Sequence, residues 1–320
     1  MKDSLFKSGP KKILIVGGAG YVGLHLSNKF VDCKSRVTII TPNTKKVSSL
    51  CFIKNTNLLT GSVMDYDLLK RWVKDQDVVI NLVGFKDEKN NNPIKSLELN
   101  CLAELKVLES IVRFNPSANH IFAGTRAQFG KINRNGELID EGQKQEPQSI
   151  YGLHKKTCED YLRYYNKTKG LEIASLRLVG IYGPAMMGEP KHFVSSLVKK
   201  CLSNEDIFIR GNGSQIQDFL YIDDLTHLIQ KMVEKGTKGI YNAGSGKGLS
   251  MKKIAKMIKT KCKSESQIFY QENLSPEEDY SDLDGAIMDI SKIKGETGWE
   301  PQIDFSEGVN RVIEWYKRNQ

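Results

Sequence analysis

The chain has 320 residues, 39% of them hydrophobic and 27% charged, with a formal net charge of +9. That is enough chain for one large domain or two modest ones with a real core. No apolar run reaches the length of a membrane span, and the basic excess is scattered lysine without an aromatic-basic reader motif, so neither membrane nor nucleic-acid binding is indicated. An anionic small substrate suits the same positive field.

The first ten residues are short and polar, lack the apolar stretch of a signal peptide, and read as a disordered tail. The six cysteines (Cys33, Cys51, Cys101, Cys158, Cys201, Cys262) contain no Cys-x-x-Cys. A disulfide framework and a zinc site are therefore not expected, and a reducing cytoplasm is. The five histidines are dispersed with no His-x-x-x-His pattern, so no metal site is expected.

The apolar run Lys12–Val16 ends in Gly17-Gly18-Ala19-Gly20-Tyr21-Val22-Gly23, and an amphipathic segment follows to about Val31. This reads as strand, glycine turn and helix. The spacing of Gly17, Gly20 and Gly23 makes a tight turn, lets the backbone approach a pyrophosphate and aims a helix N-terminus at its charge. Strand and helix signals then alternate. Strands are expected at Arg36–Ile40, Leu58–Gly61, Val78–Val83, His120–Ala123 and Glu172–Leu178. Helices are expected from Tyr66 to Lys74, from Pro93 to Phe114, and from Tyr151 to about Lys167. Such alternation implies an α/β fold, a Rossmann-type doubly wound parallel sheet. After Gly183-Pro184 the rhythm weakens, and a smaller mixed α/β lobe that binds substrate is expected.

Tyr151 and Lys155 stand four apart and share one helix face. A phenol ordinarily ionises near pH 10, too high for a base at neutral pH. An ammonium at ~5 Å, with an effective dielectric of about 20, would favour the phenolate by roughly 3 kcal/mol, or about two pK units. Bound oxidised nicotinamide would add a second positive charge. The pair is thus a candidate base for a sugar or alcohol hydroxyl as hydride leaves.

With these residues the chain resembles the extended short-chain dehydrogenases/reductases, specifically the nucleotide-sugar epimerase/dehydratase group. The resemblance spans nearly the whole sequence. It comprises the Gly17–Gly23 fingerprint, Asp65, Asn100, Gly124-Thr125-Arg126-Ala127-Gln128-Phe129-Gly130, and Tyr151/Lys155. Tyr182-Gly183-Pro184, Gly211-Asn212-Gly213, Asp218–Asp224, Tyr241–Gly246 and Gly298-Trp299-Glu300-Pro301 follow. It implies a dinucleotide-binding domain over 11–183, with parts of 216–244 packing back onto it, and a substrate-binding lobe over 184–320.

It also implies roles. Thr125 bonds the reacting sugar oxygen, Tyr151 is the acid/base, and Lys155 holds the cofactor ribose and lowers the tyrosine pKa. Gly17, Gly20, Tyr21, Val22, Gly23, Thr41, Lys45, Asp65 and Val83 join Tyr151 and Lys155 in holding NAD(P), with Asp65 at the adenine. The carboxylates of Asp218–Asp224, with Asn242 and Trp299, are structural. The partners implied are a nucleotide-diphosphate sugar and a second copy of the chain, pairing through the helices around Asn100 and Tyr151 as a four-helix bundle.

The departures are informative. Family dehydratases carry Asp-Glu after the catalytic threonine, whereas Arg126-Ala127 follow Thr125 here. No acid is placed to expel a hydroxyl, which disfavours a 4,6-dehydratase. Gln217 stands where the family often has a diphosphate-binding arginine, Ala286-Ile287-Met288 where another is common, and Gly180 where an asparagine is common. Arg126, Gly180, His192, Arg210 and Gln217 are the candidate substrate contacts, with Lys191 and Lys199 as further cations. The second strand ends Thr41-Pro42-Asn43-Thr44-Lys45-Lys46 without the carboxylate that binds a ribose 2′-hydroxyl, which tilts the expectation towards NADP while leaving NAD open. The readings that remain are a nucleotide-sugar epimerase, a 4-ketosugar reductase and a non-catalytic dinucleotide-binding protein.

Overall fold

A computed structural model describes residues 10–42, 56–86, 92–132, 136–184, 193–271 and 287–319. Two compact units emerge: Met1–Gln128, Ser149–Arg177 and Thr226–Tyr241 make the first, and Phe129–Gln148, Leu178–Leu225 and Asn242–Gln320 the second.

The first unit is built on a seven-stranded sheet of β1 (Lys12–Val16), β2 (Arg36–Thr41), β3 (Thr56–Thr60), β4 (Val78–Asn81), β5 (Asn119–Thr125), β6 (Ile173–Leu178) and β7 (Gly239–Ala243). The strand order is β7-β6-β5-β4-β1-β2-β3. Pairing is parallel from β3 through β2, β1 and β4 to β5. Ile13, Leu14, Ile15, Val79 and Ile80 are fully buried, which explains why these strands are apolar on both faces. The order reverses direction between β1 and β4, so the crevice at their C-terminal ends is the topological switch point. The expected doubly wound sheet is therefore present.

The helices α1 (Tyr21–Asp32), α2 (Tyr66–Val73) and α5 (Ile150–Lys169) lie where the amphipathic patterns put them. Ser149 caps α5 by accepting the Gly152 N–H at 3.1 Å, and Gly170 ends it in the left-handed region at φ +66°.

Two elements depart from the sequence reading. The helix expected to be continuous from Pro93 to Phe114 is α3 (Pro93–Ser96), a π-helical stretch Leu97–Leu102, and α4 (Ala103–Phe114). The wider turn accompanies a side-chain clamp. Asn100 Oδ1 accepts the Phe85 N–H at 2.9 Å, and Nδ2 donates to Phe85 O at 2.9 Å and to Ser96 Oγ at 3.0 Å. β4 also stops at Asn81 rather than Val83. Both polar groups of the Val83 backbone bond to side chains, its N–H to Asn81 and its carbonyl to Lys155, so the strand ladder ends there.

The second unit holds a three-stranded sheet in which Ile216–Tyr221 runs parallel to Gly180–Tyr182 and antiparallel to Gly248–Ser250. Asp218 accepts from Ser245 N and Oγ, Gly246 N and Met288 N. Asp224 accepts from Gln302 N and Ile303 N, and its carbonyl takes the indole N–H of fully buried Trp299 at 3.0 Å. Asn242 Nδ2 donates to Ile139 O. These groups tie loops together within the unit.

Candidate active site

Gly17 follows β1 at φ +77°, a conformation that side chains strain to adopt. A Cβ there would sit 3.0 Å from Val83 N, so the turn lies hard against the end of β4. A Cβ on Gly23 would meet Gly18 Cα and O at 2.5 Å, which holds α1 close to the strand. Gly20 caps α1 with no side-chain hydrogen bond. A bare-backbone turn feeding a helix N-terminus is the arrangement that draws a pyrophosphate. The cradle fits the dinucleotide that the glycine spacing implies, with Tyr21, Val22 and Gly23 in the first turn of the helix.

Tyr151 lies in the first turn of α5, half-buried, and Lys155 one turn on at 1% exposure. Lys155 Nζ donates to Val83 O at 2.9 Å and Ala123 O at 2.8 Å, and lies 4.4 Å from the Phe122 ring centroid. A Cβ on Gly84 would lie 3.6 Å from Tyr151 Oη and 3.8 Å from Lys155 Nζ. The ends of β4 and β5 thus gather phenol and ammonium around one glycine.

Burial sets the electrostatics of the pair without cofactor. Burial pushes the Tyr151 phenol up to about 12, and Cys158 adds to the rise. Burial pulls Lys155 down, against the opposing influence of Cys158, Glu104 and Cys101. The ammonium spends two of its N–H bonds on carbonyls, and the phenol sits in a poorly solvated place.

Thr125 closes β5. Its N–H donates to Gln128 Oε1 at 2.9 Å, and its Oγ1 accepts the Ala127 N–H at 3.3 Å. An acceptor contact of that kind leaves the hydroxyl proton to give to a substrate oxygen. Gln128 in turn donates to Glu159 Oε2 at 3.1 Å, and Glu159 meets Arg177 through Oε1 at 2.6 Å and Oε2 at 3.0 Å. Burial pushes the Glu159 carboxyl up, but Arg177, Gln128 and Arg163 outweigh it and bring it down to about 2.

The sequence reading missed this brace, though it left signals. Glu159 continues the Tyr151, Lys155 spacing by four more residues. Arg177 is the one charge in the strand Ile173–Leu178, where an unpaired charge would not survive burial. It also missed the buried set Asn81, Glu104 and His120. Glu104 falls on the apolar stripe of α4 with Val107, Leu108 and Ile111.

The other expected residues are placed as follows. Asp65 is exposed and caps α2, Oδ1 accepting the Leu68 N–H at 3.1 Å. Thr41 is buried, and its carbonyl takes the Gly61 N–H. Arg126 is buried in the 3₁₀ turn Arg126–Gln128. In the second unit Gly180 pairs with Phe219, and a Cβ on it would strike that ring at 2.7 Å. Gln217, two residues earlier, is buried and lines a cleft of about 580 Å³ with Phe219, Lys253, Met288 and Lys294. Arg210 is exposed at the end of the strand Ile207–Arg210. Lys45, Lys191 and His192 lie outside the described residues. Among the described residues, no helix is long and apolar enough to cross a membrane.

A doubly wound sheet with a bare glycine turn at its switch point, and a tyrosine-lysine pair at the adjoining strand ends, defines a dinucleotide-binding α/β protein. The chain belongs to the NAD dependent epimerase/dehydratase family, whose model matches residues 13–244. A putative UDP-glucose 4-epimerase of Methanocaldococcus jannaschii is 29% identical over 317 residues, covering 96% of this chain and 99% of that one. UDP-glucuronic acid decarboxylase 1 of Xenopus tropicalis is 26% identical, covering 96% of this chain and 72% of that one. The crystal structure of a UDP-glucose 4-epimerase from Thermotoga maritima, with UDP-glucose, superposes with a TM-score of 0.86 at 24% identity, covering 96% and 99% of the two chains. That last likeness is one of fold.

Proposed function

We propose that this protein is an NAD(P)-dependent nucleotide-sugar epimerase. The carrying observation is the convergence of Tyr151 Oη and Lys155 Nζ on Gly84, at the strand ends beside the glycine turn. When bound, the nicotinamide supplies the acceptor and donor of hydride. Tyr151 removes the proton of a sugar hydroxyl as its carbon becomes a ketone, and Thr125 donates a hydrogen bond to that oxygen. Lys155 holds the ribose and supplies positive charge beside the phenol. The ketone turns in the site, and Tyr151 returns the proton once the opposite face has been reduced. Arg126 and Ala127, where dehydratases have acids, favour simple oxidation and reduction over loss of water.

The relatives' substrates support a nucleoside-diphosphate sugar. In our reading the diphosphate is held without the usual arginine, with Gln217 and Arg210 of the second unit in its place. A strand β2 that closes at Thr41 without a carboxylate favours a second reading, an NADPH-dependent 4-ketosugar reductase with the same three residues. Incubating purified protein with UDP-sugars and no added cofactor separates the two. Turnover is expected; strict dependence on added NADPH would establish the reductase, and no turnover of any nucleotide sugar under either condition would overturn both. Exposed Ile94, Leu97 and Leu102 around the π-helical stretch, and Leu153 and Tyr164 on α5, support pairing of two copies through these helices. We place the protein in the cytoplasm.

A further inference from the structure

Behind Lys155 lies a chain of buried polar groups that the chemistry above does not use. His120 Nδ1 faces the Val79 carbonyl at 3.0 Å, and a carbonyl only accepts, so Nδ1 carries a proton. His120 Nε2 is 2.7 Å from Glu104 Oε1, and one proton lies between them whichever atom holds it. Glu104 Oε2 accepts from Asn81 Nδ2 at 2.5 Å. Asn81 Oδ1 accepts the Val83 N–H at 3.0 Å, and Val83 O accepts from Lys155 Nζ at 2.9 Å. Asn81, Glu104, His120 and Lys155 are each at most 1% exposed.

We propose that Glu104 and His120 are positioning residues for Lys155, acting through the carboxamide of Asn81. An asparagine side chain has an oxygen end and a nitrogen end of nearly equal shape. Only the oxygen end accepts the Val83 N–H. The carboxylate of Glu104 selects that orientation, because it accepts from the nitrogen end and would repel the oxygen end. His120 fixes Glu104 by engaging its other oxygen. With the amide so oriented, the Leu82–Val83 peptide is anchored on one side of the Val83 Cα while the ammonium takes the Val83 carbonyl on the other, so the residue that carries the carbonyl is held from both ends. A pair of apolar side chains would fill the same space without burying polar atoms. What the polar pair adds is direction.

The inference rests on the proposed role of Lys155, so the test carries one measurement that does not depend on turnover. Glu104→Gln keeps the geometry, donating to His120 Nε2 and accepting from Asn81. The double variant Glu104→Leu/His120→Leu removes it while leaving the site packed. The first measurement is hydrogen exchange at the Val83 amide in the full-length protein. Exchange should quicken about tenfold or more in the double variant and stay near wild type in Glu104→Gln. The second is kinetics with a UDP-sugar. kcat should fall about tenfold or more in the double variant with KM within about twofold, and Glu104→Gln should restore it. Unchanged Val83 exchange in the double variant, or a Glu104→Gln variant as impaired as the double, would overturn the inference. If wild-type protein turned over no nucleotide sugar the epimerase reading would fail, and the exchange result would still decide this one.

Discussion

The guanidinium of Arg177 and the carboxylate of Glu159 meet in a two-pronged contact, Nη2 to Oε1 at 2.6 Å and Nε to Oε2 at 3.0 Å, with both side chains at most 1% exposed. Because Gln128 bridges Glu159 to the Thr125 N–H, this pair connects α5, the helix of Tyr151 and Lys155, to the strand end that carries Thr125. Arg177→Met leaves the buried carboxylate to Arg163 and Gln128 alone and should cost about 2–3 kcal/mol in urea denaturation at pH 7. The acid dependence has a definite sign. The folded carboxyl is depressed to about 2 from its ordinary 4.5, so its stabilising effect is whole above pH 4.5 and is lost as pH falls through about 2. Arg177→Met should flatten that acid limb, and an unchanged limb would refute the assignment.

Gly23→Ala tests the glycine turn. The added methyl meets the Gly18 backbone at 2.5 Å, and neither element can yield without moving α1. Affinity for NADH, followed by fluorescence, should weaken about tenfold or more, with a stability loss of about 1–3 kcal/mol. Wild-type affinity would mean that the pyrophosphate does not sit on this turn.

The phenol of Tyr151 should titrate late in the protein without cofactor. An ultraviolet difference titration of wild type against Tyr151→Phe should place its midpoint near 12. Burial of the neutral phenol stabilises the fold fully below pH 10, and that effect fades as pH rises through about 12. Saturating oxidised cofactor brings positive charge and should lower the midpoint. Tyr151→Phe and Lys155→Met should each reduce kcat about 100-fold or more, and activity in Tyr151→Phe near wild type would favour a binding role over chemistry.

Asn100→Leu removes three hydrogen bonds and leaves the Phe85 N–H and carbonyl without their clamp. A loss of about 2–3 kcal/mol is expected in thermal or urea melts, because buried polar groups lose their partners. Circular dichroism should show the helices retained.

Leu153→Glu places a charge on the exposed apolar surface of α5. Light scattering should report two copies for wild type at micromolar concentration and one for the variant. A wild-type monomer under those conditions would refute the pairing.

Much of the fold was legible because β-α alternation and the Gly17, Gly20, Gly23 spacing are local patterns. The buried strands announce themselves as unbroken apolar runs. Tyr151 and Lys155 were legible as a helix-face pair, and Asp218, Asp224 and Trp299 as structural groups. The π-helical stretch was not, because it accompanies a contact of Asn100 with the Phe85 backbone, fifteen residues away in sequence. The early end of β4 has the same kind of cause, since Val83 is claimed by a lysine from another element.

What the sequence alone determined is therefore the class of sheet, the glycine turn after its first strand and the placing of a tyrosine and a lysine on one helix face. Those follow from periodicity, backbone sterics and side-chain chemistry within a few residues. Only the tertiary structure decided the electrostatic state of the pair. Burial sets Tyr151 high, and the carbonyls of Val83 and Ala123, arriving on two different strands, take the Lys155 ammonium. A pKa depends on solvation and on groups brought near by folding, and neither is written in the spacing of a tyrosine and a lysine.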